Sequence, residues 1–131
     1  MGKMILLTTV VSLFICAGQG FCQEQEKDDP CAEAMTTMEM RECADDRYQK
    51  ADAELNEVYK QLMVKLEEAR QAKLKEAQRA WIAFRDKSAE FEASEAEGGS
   101  MYPVILVSVS ADMTEARVNE LRETLKRLES E

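Results

Sequence analysis

The chain has 131 residues, enough for one domain with one modest core, and its 26 acidic against 17 basic side chains leave a formal charge of −9. That balance argues against nucleic acid as a partner, because nucleic acid rewards clustered Lys and Arg. It would steer a basic protein toward the surface, although the plain alternative is that the charge only keeps the chain soluble.

The first segment reads as a signal peptide over residues 1–22. Lys3 supplies a positive start, Met4 to Cys16 is a short apolar run, and small residues follow at Ala17, Gly18 and Gly20. The run is shorter than the ~20 apolar residues that span a bilayer, so export to the periplasm or the medium is expected, with no membrane association after cleavage. Cleavage after Gly20 and after Cys22 both remain open. Ile15 before Cys16 and Phe21 before Cys22 disfavour lipid attachment. Residues 23–131 are then the folded domain, opening with a polar arm, Gln23 to Pro30.

Cleavage after Cys22 leaves Cys31 and Cys43, an even pair for an oxidising compartment. On one continuous helix they would stand about 18 Å apart, beyond the roughly 4.4–6.8 Å a disulfide allows. The chain must therefore turn between them if they bridge. Thr36 and Glu39 match a capping box, which would start a helix there and let Asp29 to Ala32 fold back. A Cys31–Cys43 disulfide is the expectation; two free thiols are the alternative.

From Thr37 a helical pattern places Ala44, Tyr48, Ala51, Leu55, Val58, Leu62 and Ala69 on one face, with Tyr59 beside it as a further core residue. So long a rod cannot bury its stripe alone, and a break is expected in the polar run Glu67 to Gln71. The next helix runs from about Ala72 to Glu92, its stripe formed by Leu74, Ala77, Trp81, Phe84, Ser88 and Phe91. Its Lys, Glu, Gln and Arg residues form the expected wet back. Ala93 to Ser100 is a loop, in which Gly98 and Gly99 release the backbone and Ser100 can cap a helix carrying Pro103 in its first turn.

The run Val104 to Val109 has strand propensity. Longer periodicity overrules it, since Val104, Val107, Ala111, Thr114, Val118, Leu121, Leu125 and Leu128 alternate by 3 and 4. A third helix from about Met101 to Leu128 follows. The predicted fold is all-α, an antiparallel bundle of about three long helices with a short disulfide-linked N-terminal section. Leu55, Tyr59, Leu62, Leu74, Trp81, Phe84, Val118, Leu121 and Leu125 form its predicted core.

Catalytic chemistry is hard to find. Without histidine there is no His-based triad, metal site or pH switch. Acidic neighbours such as Asp45-Asp46 and Glu67-Glu68 diverge by about 100° on a helix and do not converge on one substrate atom. Gly98-Gly99-Ser100 lacks the Lys and the preceding strand of a phosphate loop. The reading is a protein without enzyme activity, cofactor or metal, acting through a surface. The best candidate surface is the loop Glu90 to Tyr102, with Glu92, Glu95, Glu97, Gly98, Gly99, Ser100 and Tyr102 as partner-binding residues. An ordinary interhelical turn is the competing account of the same residues.

Three elements, Leu55-Asn56 with Tyr59, Ala77 to Trp81 within AQRAWIAFRD, and Gly98 to Ser100, occur in the order seen in the lysozyme inhibitor LprI-like family, which the chain resembles over nearly all its length after the leader. The resemblance implies a secreted helical domain whose first Cys pair matches Cys31 and Cys43, and a protein partner such as a basic lysozyme-type hydrolase. Relatives commonly carry two further Cys where this chain has Ser88 and Ser108 or Val109, so a second disulfide is not expected. Two functions follow: an inhibitor of a cell-wall hydrolase acting through the acidic loop, or an envelope adaptor that binds another protein through an exposed stripe. Nothing in the sequence fixes an oligomeric state.

Overall fold

A computed structural model describes residues 30–130; the expected leader and nearly all of the polar arm lie outside them. Among the described residues there are three helices, α1 (Thr37–Lys65), α2 (Glu68–Ala93) and α3 (Tyr102–Ser130), with a single 3-10 turn at Ser94–Ala96. No helix among the described residues is long and apolar enough to cross a membrane.

α1 starts where its sequence says it should. The Glu39 amide donates to the Thr36 hydroxyl at 3.2 Å, and Glu39 Oε2 accepts from the Thr36 and Met35 amides at 2.9 Å each. These hydrogen bonds hold the Glu39 carboxylate below its ordinary pKa, the Thr36 amide being the largest cause and the Met35 amide the next. Cys31, just upstream, is joined to Cys43 within α1, with their Cα atoms 5.8 Å apart. The bridge pins the turn at 30–33 against the second turn of α1.

The break between α1 and α2 comes earlier than the polar run suggested. Leu66 and Glu67 are extended, Leu66 turns inward and is buried, and Ala69 is exposed on α2. Neither Gly nor Pro is involved. Instead the Gln71 amide group reaches back to donate to the carbonyls of Met63 at 2.7 Å and Leu66 at 2.8 Å, satisfying acceptors that a helix end leaves without partners.

α3 is the spine. It packs along α1 and along α2, whereas α1 and α2 scarcely approach each other. Hydrogen-bonded ion pairs Arg47–Asp112, Arg47–Glu115 and Glu54–Arg122 link positions 65, 68 and 68 apart in sequence. Such a nearly constant offset means that α1 and α3 run parallel. Between α2 and α3 the contacts Arg85–Thr114 and Gln78–Arg117 lie 29 and 39 apart, the widening of an antiparallel pair. The bundle therefore runs up, down, up. The α1 positions 44, 51, 55, 58 and 62 and the α3 positions 104, 111, 114, 118, 121 and 125 are buried, so both stripes have the 3–4 spacing of a coiled-coil seam.

The core is centred on Leu55, Val58, Leu62, Leu66, Val118, Leu121 and Leu125, with Tyr59, Leu74, Trp81 and Leu128 half-buried against it. Phe84 is a correction. It is 63% exposed, Phe91 is 73% exposed, and Ala77 also faces solvent. The buried residues of α2 are Arg85, Ala89 and Ala93, so the buried face is rotated away from Phe84 and Phe91 by less than the roughly 100° of one residue, and Leu74 and Trp81 stay half-buried on it. The reason is chemical. The Arg85 guanidinium lies 5.4 Å from the Tyr48 ring centroid and 5.3 Å from that of Trp81, and donates to Asp86 Oδ1 and, at 3.5 Å, to the Thr114 hydroxyl. A planar cation between two aromatic faces fills the space that an apolar ring was expected to fill.

Candidate functional site: the acidic end between α2 and α3

The α2–α3 connection is built from consecutive tight turns. Ser94 Oγ donates to the Phe91 carbonyl at 2.6 Å; the amides of Glu97, Gly99 and Tyr102 donate in turn to the carbonyls of Ser94, Ala96 and Gly99 at 3.1, 2.9 and 3.3 Å. Gly98 has φ +78°, a left-handed conformation that glycine adopts without steric cost. Space is not the constraint there, since a Cβ on Gly98 would meet nothing within 4 Å. Ser88, Ser108 and Val109 are all half-buried. Hydrogen bonds hold the connection between them.

The side chains divide into two groups. Glu92, Glu95, Glu97, Gly98, Gly99 and Ser100 are exposed, and none of the three carboxylates has an ion-pair partner among the described residues. Glu90 differs, being held by Lys87 at 2.6 Å. Tyr102 is half-buried in the first turn of α3, so it partly closes the end of the bundle as the competing account expected. Ser100 makes no capping hydrogen bond among the described residues; the Ile105 amide donates to the Met101 carbonyl instead.

The exposed apolar groups at this end are Phe91 and Met101, the latter 39% exposed, with Phe84 two turns back along α2. Sequence reasoning missed both phenylalanines as surface residues, because their spacing matches a core stripe. The signal against that reading was Arg85 with Tyr48 and Trp81 elsewhere in the pattern, a set able to make the stacked cation. Asn56 faces solvent and donates to Asp52 on its own helix. No grouping of acidic or cysteine side chains suited to a metal ion occurs among the described residues.

This end offers a negatively charged, ordered loop with aromatic surface beside it, suited to contacting a positively charged protein surface. Comparison with known proteins adds the kinship. A family model described as lysozyme inhibitor LprI matches residues 28–121. An uncharacterised protein of Rhizobium meliloti (strain 1021) is 35% identical, covering 90% of this chain and 93% of that protein. No solved structure matches. With that family match spanning the disulfide, the stacked Arg85 and the Gly98 turn, the chain belongs to the lysozyme inhibitor LprI family.

Proposed function

We propose that the protein acts outside the cytoplasm, without catalysis of its own, as an inhibitor that binds a basic lysozyme-type cell-wall hydrolase through the acidic end between α2 and α3. The observation that carries this reading is the set of three exposed carboxylates without ion-pair partners, Glu92, Glu95 and Glu97, beside the exposed Phe91 ring. Long-range attraction speeds encounter with a cationic enzyme, and an aromatic anchor buried on contact slows escape. Replacing Glu92, Glu95 and Glu97 together by Gln should slow association and flatten its dependence on salt. Phe91→Ala should leave association nearly unchanged and speed dissociation. Stopped-flow binding and a lysis assay with a basic lysozyme read both.

The adaptor reading keeps one specific support, namely that apolar surface on α2 extends beyond the core, with Phe84 63% exposed. If the parent chain fails to bind or inhibit the hydrolase while Phe84→Ser abolishes capture of another envelope protein, the adaptor reading takes its place.

A further inference from the structure

At the end of the bundle opposite the acidic loop, a cleft of about 330 Å³ lies between the end of α1, the first half of α2 and the second half of α3. Its walls are of two kinds. Leu62, Leu66, Leu74 and Leu121 are apolar, and Arg70, Lys73 and Arg117 bring three cations; no acidic residue lines it. This is unexpected on a chain of net charge −9. Beyond the acidic first turn of α2 at Glu68, residues 70–79 are locally basic, carrying Arg70, Lys73, Lys75 and Arg79 against Glu76.

The cations are not spent on one another's neighbours in the same way. Arg117 is fixed, donating to Gln78 at 3.2 Å and to Glu120 at 2.8 Å while its guanidinium stands 5.8 Å from the Trp81 ring. Arg70 and Lys73 are exposed and make no ion pair among the described residues. A volume near the lower end of the ~300–1,000 Å³ typical of small-molecule pockets suits a single slender chain rather than a folded partner.

We infer that this cleft binds a single-chain anionic lipid, its charged head between Arg70 and Lys73 and its first methylenes along Leu62, Leu66, Leu74 and Leu121. Charge complementarity selects the head, because an ionised group gains strong charge-assisted hydrogen bonds from the two cations. The leucines select the chain by removing it from water. The inference is independent of hydrolase binding at the other end.

Hexanoate, octanoate and decanoate are the probes, with acetate as the head alone and octanol as the chain alone. Trp81 is the only tryptophan and touches the cleft through Arg117, so its emission reports occupancy; amide NMR shifts locate it. Affinity should rise along the acid series by up to about fourfold per methylene, with shifts at Leu62, Leu66, Leu74 and Leu121. The double change Arg70→Gln and Lys73→Gln, at two exposed positions, should weaken octanoate by about tenfold or more. Ala77 also lines the cleft, at its solvent-facing edge, and Ala77→Phe, which narrows it and keeps every charge, should remove the dependence on chain length. The inference is overturned if acetate produces the same shifts as octanoate, if octanol binds as tightly as octanoate, or if either variant keeps its helical circular dichroism and binds octanoate unchanged.

Discussion

Arg85 is the residue on which α2's orientation turns. Its side chain, only 7% exposed, sits between Tyr48 of α1 and Trp81 of its own helix and reaches Thr114 of α3. It is the point where all three helices meet through one group. Arg85→Ala removes both ring contacts and the volume between them, and should cost about 2–4 kcal/mol in urea unfolding. Arg85→Met, which keeps most of the volume without a buried charge to satisfy, should lose less than half of that. Phe84→Ala, one residue earlier, should lie within about 0.5 kcal/mol of the parent. Periodicity counted Phe84 inward and Arg85 outward, since it scores hydrophobicity alone. A guanidinium made compatible with the interior by two aromatic faces is invisible to that score. Trp81 shows the same effect, its ring meeting the guanidinium groups of Arg85 and Arg117 as well as the apolar core.

Individual helices were more legible where their ends carry local chemistry. Thr36 and Glu39 mark the start of α1 in the sequence and do so in the structure. Thr36→Ala should therefore cost about 1 kcal/mol. Glu39 adds a pH signature: its pKa in the folded chain lies below the ordinary 4.5, so its contribution is fully present above that value and is lost as pH falls through the lowered folded pKa. Glu39→Gln keeps the capping geometry but does not titrate. Parent and variant, compared by denaturant unfolding on either side of pH 4.5, should differ in slope only in the acid range. For α3, the unbroken 3–4 spacing of Val104 to Leu128 outweighed the strand propensity of its first turns, because eight residues in phase bury a whole stripe. The α1–α2 break was harder to place. It depends on Gln71 reaching back across the gap to two carbonyls, a tertiary choice that a polar run hints at without locating.

At the scale of the whole molecule, three helices, their order and the first disulfide followed from the sequence, while the identity of the central helix did not. Each helix has one main stripe, and a stripe does not say which neighbour it faces. The ion pairs at a nearly constant offset reveal the parallel α1–α3 seam, and exposed pairs of this kind add little stability themselves. The Cys31–Cys43 bridge lies outside that seam. Reducing it should lower stability by about 2–3 kcal/mol, through the freedom returned to the unfolded loop, yet leave the helical circular dichroism of the chain intact at room temperature. Loss of helicity on reduction would show instead that the N-terminal turn nucleates the bundle. The candidate acidic end was legible as composition, Glu92, Glu95 and Glu97 beside two glycines, whereas its aromatic component was assigned to Tyr102 when Phe91 is the more exposed ring.

Because α1 and α2 meet chiefly through α3, the order of synthesis matters. A ribosome delivers α1 and α2 first, and neither then has the surface it is made to cover; a lone amphipathic helix is marginal in water. The stripe that completes both arrives with the last thirty or so residues of the chain. Until then there is no compact body, and cooperative folding of the bundle waits for α3 to follow α1 and α2.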